Sequence, residues 1–336
     1  MELKRDLRRT AALALSTPPI RSILQRAAAF GLRIPPIREY AARELTASLI
    51  VIGDLGTRWN GYSFCEQWAT ARNPTLCKLL DEIGEQIVAR DQEEIMDGLR
   101  VLRPYAVKGF EKVRFGSASD GGYVMLNDFR SIDTAFSFGI DKNAEWDLDV
   151  ARRGVTVYQF DHTVDKPPIT DGRLIFTEKK IATESGPDSE SLSSLLERHD
   201  KHDITPNILL KFDIEGDEWA ILDMASCEEL GRFAQIVGEF HFFQGYSADI
   251  RWRRLIDRVL NKLNKDYAVI HIHANNYGEF HLIGNVTLPN AFEITFANRA
   301  LYTFYRADES FPGPLDAPND PSRPDVHLDI FGGHPG

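Results

Sequence analysis

The sequence predicts an α/β protein built on a Rossmann-like, mostly parallel sheet. Two observations carry this. From about residue 105, short β-branched and aromatic runs alternate with helical stretches, which is the signature of βαβ units. Runs such as Ile208-Leu209-Leu210 are apolar without a break, as strands are when helices cover both faces. The chain has 336 residues, of which 43% are hydrophobic and 26% charged. That is the composition of an ordinary globular protein.

The first 104 residues read as a mainly helical N-terminal region. In "LLDEIGEQIVARDQEEIMDGLRVL" (79–102), Leu80, Ile83, Ile87, Ile95, Leu99 and Leu102 recur near helical spacing. Pro35-Pro36 and the stretch from Trp59 to Tyr62 interrupt the region. No polar cluster there suits chemistry, so it reads as a helical cap or an oligomer surface. The basic start, "MELKRDLRRTAALAL", is too short in its apolar part for a secretory signal and is followed by Pro18-Pro19. It is compatible with a surface-lying amphipathic helix.

Residues 105–306 form the predicted α/β domain. Its strands are "TAFSFGI" (134–140), "VTVYQFD" (155–161), "RLIFTEKKI" (173–181), "NILLKFDI" (207–214), "QIVGEFHFF" (235–243), "YAVIHIHANN" (267–276) and "FEITFANRALY" (292–302). Helices are expected at "AEWDLDVARRG", at "SLSSLLERH", from Glu218, and at "DIRWRRLIDRVLNKLNK", where Trp252, Ile256, Val259 and Leu263 share a face. The last two strands are joined by "YGEFHLIGNVTLPNA", which holds Gly278, Gly284 and Pro289 and reads as loop. Without a crossover helix these strands pair antiparallel. The prediction is therefore six parallel strands and an antiparallel seventh. The tail, 307–336, is proline-rich and aperiodic, an extended strap or a disordered segment.

Composition excludes some function classes. A net charge of −11 argues against sequence-independent nucleic-acid binding. Cys65, Cys77 and Cys227 are odd in number and lack metal-type spacing, which points away from a disulfide framework and toward a reducing, cytoplasmic setting. No apolar run approaches the ~20 residues of a membrane span. Oligomeric state is not legible.

Open parallel sheets bind ligands beyond the carboxyl ends of their strands, where strand order reverses. The unusual polar residues fall at those ends. The first strand runs into Gly139, then Asp141 and Asn143, then a helix whose N-terminus offers free N–H groups. The second ends in Asp161, close to the ~20-residue offset at which an acid meets a nucleotide ribose. The fourth ends in Asp213 and Glu215, the fifth in Glu239 and His241, and the sixth in His271, His273 and Asn275. His271 reads as a core histidine. His273 lies nearer the strand end, and the set as a whole exceeds what solvation requires.

The stretch Lys211-x-Asp213-x-Glu215-Gly216-x-Glu218 resembles the KxDxEGxE signature of the FkbM-type S-adenosylmethionine-dependent methyltransferases. "GEFHFF" and "FEITFAN" are also similar to that family, and the resemblance covers about 110–305. It implies a seven-stranded methyltransferase sheet ordered 3-2-1-4-5-7-6 with the last strand antiparallel. It also implies S-adenosyl-L-methionine as cofactor, and O-methylation of a small-molecule or glycan hydroxyl. By position, Gly139 faces the methionine part of the cofactor, Asp161 holds the ribose, and Lys180-Ile181-Ala182 lies by the adenine. Asp213 sits between cofactor and acceptor. "SDGGYV" (119–124) offers backbone donors, around Gly122 and Tyr123, to the methionine carboxylate. One departure is plain: the common first loop has acid-x-Gly-x-Gly-x-Gly, and here only Gly139 remains.

Asp213, Glu239, His241 and His273 are the catalytic candidates. Asp213, Glu239 and His241 also form an oxygen-rich set suited to Mg²⁺ or Mn²⁺, which would orient acceptor hydroxyls. The alternative is metal-free, with His241 or His273 taking the proton directly. Asp217 and Glu218 fall at a helix start and read as structural. Two further functions compete. A nicotinamide-dependent oxidoreductase lacks its G-x-G-x-x-G after the first strand. A non-catalytic cofactor-binding module would fit the glycine-poor loop.

Overall fold

The computed structural model describes residues 93–199, 205–278, 280–283, 286–307 and 309–328. All of them lie in the compact unit Val88–Gly336. Most of the predicted helical region, with Cys65 and Cys77, lies outside the described residues. Its last part, 93–99, is helical and continues into a 3-10 turn at Arg100–Leu102. Ile95, Leu99 and Leu102 bury their side chains in the main core. Cys227 is a free, exposed thiol.

The centre is a seven-stranded sheet. Its strands are β1 (Thr134–Phe138), β2 (Thr156–Phe160), β3 (Leu174–Thr177), β4 (Ile208–Phe212), β5 (Phe233–Phe240), β6 (Tyr267–Ala274) and β7 (Phe292–Asn298). They lie side by side as β3-β2-β1-β4-β5-β7-β6. The five strands from β3 to β5 are parallel neighbours, and β7 runs antiparallel to both β5 and β6. The expected order and the reversed last strand are both present. β1, β4, β5, β6 and β7 are buried at almost every position because the alternating side chains enter two cores. Phe136, Phe138, Leu210 and Phe212 join Trp219, Ile256 and Leu260 on one face. Ala135, Leu209 and Val237 join Trp146 and Val150 on the other. Each fully buried phenylalanine contributes about 1.5–3 kcal/mol.

Among the described residues, the helices α1 (Glu145–Ala151), α2 (Leu192–His199), α3 (Glu218–Met224) and α4 (Ile250–Asp266) frame the sheet, with shorter ones at Cys227–Leu230 and Phe243–Ala248. A hairpin, Lys112–Gly116 with Gly122–Leu126, is fastened to the sheet through Leu126 N–H to Gln235 Oε1 at 2.9 Å and Thr295 Oγ1 to Val124 O at 2.6 Å. Among the described residues no helix is long and apolar enough to cross a membrane.

Two local expectations change. The segment read as loop between β6 and β7 contains a hairpin, Phe280–Ile283 with Val286–Pro289. Glycine and proline in the sequence signal loop, and that signal masked the two short strands beside them. "RLIFTEKKI" is not one strand. It breaks after Thr177, and Lys180–Ala182 pairs instead with Ser189–Ser191 outside the main sheet. The tail is a strap: Phe311 is buried against His271, and Leu328 N–H returns to Phe311 O at 3.0 Å.

Candidate active site

A cavity of ≈870 Å³ opens at the carboxyl ends of β1, β2, β4 and β5. That is the switch point, where β1 sends its chain to one side and β4 lies on the other.

The β1 side is built from main chain. Gly139 has φ +78°, and a Cβ there would sit 1.7 Å from the main-chain oxygen of Asp213, so only glycine fits. Buried Lys211 reaches from β4 and donates Nζ to Gly139 O. Asp161 clamps the loop: Oδ2 accepts from the amides of Ile140 (2.8 Å) and Asp141 (2.9 Å). Its Oδ1 accepts from Thr163 N (2.7 Å) and Oγ1 (2.6 Å). Burial alone would raise this carboxyl, but the Thr163 hydroxyl and the amides outweigh it and hold it below its ordinary pKa. Four donors fill a carboxylate's usual complement, so a ribose hydroxyl would have to compete with Thr163. Asn143 donates to Asp120 O at 2.9 Å and accepts from Glu145 N at 3.0 Å, tying the start of α1 to the 119–121 turn. Ile181 is buried and lines the far wall.

The β4–β5 side is built from charged side chains. After Asp213 the chain turns through Glu215 (φ 56°) and Gly216 (φ +106°), and a Cβ at Gly216 would meet the ring of Phe242 at 1.9 Å. Phe242, directly after His241, also has a left-handed φ of 64°. Such residues cost about 1–3 kcal/mol each and persist where the surroundings hold them, often at functional sites. The turn starts α3 and aims Glu218 inward. Glu218 is fully buried; its Oε2 accepts from Gly216 N at 2.6 Å and its Oε1 from His241 N at 3.0 Å and Nδ1 at 2.7 Å. Trp219 Nε1 donates to His241 O at 2.7 Å and fixes the same strand end.

His241 Nε2 then faces Glu239 Oε1 at 3.3 Å and Glu215 Oε2 at 3.5 Å. Asp213, Glu239 and His241 bring ligand-type atoms within 4.8 Å of one another. Asn275 Nδ2 holds Glu239 Oε1 at 2.6 Å, and Tyr123 Oη donates to Asp213 Oδ2 at 3.0 Å. Burial pushes the carboxyls of Asp213 and Glu239 upward. Burial disfavours a charged His241, but its hydrogen bonds to Glu218 and Glu239 outweigh that and push it up to about 11. The carboxylates around it therefore favour the protonated imidazole over the neutral one.

The structure thus gathers Gly139, Asp141, Asn143, Asp161, Ile181, Asp213, Glu239 and His241 around one cavity. Other predicted residues sit differently. Tyr123 is buried with its hydroxyl on Asp213, and Gly121, rather than Gly122, lines the cavity. His273 is fully buried, with Nδ1 on Glu293 (3.0 Å) and Nε2 on Asp325 (2.9 Å), so both nitrogens are taken by structural partners. Glu218 positions His241 rather than merely capping a helix. Lys211 and Glu218 both belong to the KxDxEGxE stretch, which held the signal. Thr163 carried no such mark.

Residues 149–269 match the Methyltransferase FkbM domain. The FkbM match runs from α1 into β6 and includes Asp161, Asp213, Glu218, Glu239 and His241; Gly139 precedes it and His273 follows it. No curated protein matches the chain by sequence. Among solved structures, that of a fibrillarin/Nop5p complex aligns over 58% of this chain and 98% of its own, at 10% identity and a TM-score of 0.30.

Proposed function

We propose that the protein is an S-adenosylmethionine-dependent methyltransferase that methylates a hydroxyl oxygen of a small molecule or glycan. The FkbM match supports methyl transfer in general. The observation that carries the finer reading is the single cavity that joins a glycine turn and Asp161 to the Asp213–Glu239–His241 cluster. When bound, S-adenosylmethionine supplies a methyl group activated by a positively charged sulfur.

The chain does the rest. The Gly139 turn admits the cofactor against main chain, Asp161 keeps that loop in shape, and Ile181 offers an apolar wall. The acceptor hydroxyl enters from the β4–β5 side and is held in line by Asp213 and Glu239, which removes orientational freedom from the reaction. The cluster also receives the hydroxyl proton. His241, fixed by Glu218, keeps positive charge beside the oxygen that becomes negative.

Calorimetry separates this reading from its rivals. S-adenosylmethionine or its demethylated product should bind the full chain, NAD⁺ should not, and labelled methyl should pass to a hydroxyl-bearing acceptor in a panel of glycans and natural products. Binding of NAD⁺ in place of S-adenosylmethionine would overturn it. Cofactor binding without transfer to any acceptor would favour the non-catalytic module.

A further inference from the structure

The Asp213–Glu239–His241 cluster has features that proton transfer alone does not need. Its three donor atoms converge from two neighbouring strand ends, within 4.8 Å of one another. A divalent ion with ligand bonds of about 2.0–2.2 Å holds its donors roughly 3–4.4 Å apart. Glu239 Oε1 and His241 Nε2, at 3.3 Å, already stand at the spacing of adjacent ligands.

Each member is also oriented by a group outside the cluster. Glu218 takes the Nδ1 proton of His241 at 2.7 Å, which turns Nε2 inward. Asn275 holds Glu239 at 2.6 Å and is itself held by the amide of Tyr277 at 2.7 Å. Tyr123 holds Asp213 at 3.0 Å. An imidazole that gives its outer N–H to a carboxylate, beside carboxylates with outer donors of their own, is the arrangement of metal ligands.

The inward contacts of His241 are poor as hydrogen bonds. At 3.3 and 3.5 Å they exceed the ~2.7–2.9 Å of charge-assisted N–H···O bonds. The outer contact, on Glu218, is short. Glu239 is buried and lines the cavity, with Asn275 on the same oxygen that faces His241.

We propose that Asp213, Glu239 and His241 bind a single hard divalent cation of the Mn²⁺ or Mg²⁺ class at the acceptor end of the cavity. Two carboxylates and one imidazole, without sulfur, suit Mn²⁺, and the nitrogen favours Mn²⁺ over Mg²⁺; Zn²⁺ binds such donors more tightly, so selection against it rests on metal availability and on the open positions left for oxygen ligands. Remaining positions face the cavity, where acceptor oxygens can replace water. This deepens the methyltransferase reading in one respect. A cation there displaces the Nε2 proton of His241 to solvent and supplies positive charge in its place; it orients the acceptor hydroxyl and lowers its pKa, so the carboxylates serve as ligands instead of proton acceptors. Only that role rests on the methyltransferase reading; the binding itself does not.

The test uses the full chain, stripped with EDTA and without cofactor. Mn²⁺ is titrated in, and free Mn²⁺ is read by its electron paramagnetic resonance signal. Wild type should take up a single Mn²⁺ per chain, with Mg²⁺ competing for it. Asp213→Asn and His241→Ala should abolish uptake. Glu218→Gln, which leaves the three ligands in place and changes the group behind His241, should weaken it about 10–100-fold. Wild-type protein that leaves all Mn²⁺ free overturns the proposal, and that measurement needs no variant to fold. So does uptake by Asp213→Asn equal to wild type. Cofactor calorimetry on the same protein reads the methyltransferase proposal separately, so either can fail alone.

Discussion

The two sides of the cavity are made in different ways. On the β1–β2 side, the groups that matter are main-chain amides and one acid, all between Gly139 and Thr163. On the β4–β5 side, and in the polar network that continues behind it under β7 and β6, they are buried polar and charged side chains whose partners are far away in sequence. Tyr123 meets Asp213, Asn275 meets Glu239, His273 meets Asp325, and Asn319 meets Glu293 and Asp120. A cofactor common to many enzymes needs only a loop of fixed shape. An acceptor and its chemistry need a charged constellation, and buried charges demand partners from wherever the fold can bring them.

If that division is right, the two sides fail separately. The largest effect is expected on the charged side. Asp213→Asn keeps the shape but removes an acceptor oxygen's charge, and turnover should fall about 10²–10⁴-fold with cofactor affinity nearly unchanged. Parallel kinetics and calorimetry check this, and full activity would move the acceptor site elsewhere on the sheet.

The reverse pattern belongs to Asp161→Ala. Removing the clamp releases the Ile140 and Asp141 amides and should weaken S-adenosylmethionine binding by about 1–3 kcal/mol, with Mn²⁺ uptake retained. Cofactor binding like that of wild type would show that the loop holds its shape without the clamp.

The smallest effect sharpens the comparison within the charged side. Burial disfavours a charged His273, but its bonds to Asp325 and Glu293 push it up to about 10, above its ordinary 6.5. A raised pKa adds stability that is complete below the unfolded value and lost as pH rises from about 6.5 through about 10. Asp316 and Asp325 behave oppositely. Despite burial, His271 and His273 respectively hold them below 3.8, so their contribution is present above that value and lost as pH falls through the folded value. The strap should therefore be held most firmly between these limits. Melting temperature against pH should decline on the alkaline side less steeply in His273→Gln than in wild type. Identical slopes would exclude His273 as the alkaline anchor.

Much of the frame was legible before any coordinates. Unbroken apolar runs marked the covered strands, the missing crossover helix marked the antiparallel pair, and period-two residues such as Asp213 and Glu215 or Glu239 and His241 announced themselves at strand ends. Glu218 reads as structural from the sequence, and its partner was what the sequence left out. A carboxylate in the first turn of a helix looks the same whether it faces solvent or, as here, folds inward to the adjacent strand end. The partners of His273 were hidden for the matching reason. Its place near a strand end says nothing about Glu293 across the sheet or Asp325 in the tail.

What the sequence determined by itself was everything that local periodicity encodes: strand and helix identity, the reversed last strand, and the residues delivered to the rim of the sheet. What the tertiary structure decided was partnership. It fastened His241 to Glu218, gave His273 to the strap, and closed Asp213, Glu239 and His241 to within 4.8 Å. The physical reason is that hydrophobic patterning acts through near neighbours and recurs with the period of each element. A buried ion pair is set by distance in space, and residues as far apart as Asp120 and Asn319 become neighbours only once the sheet has formed.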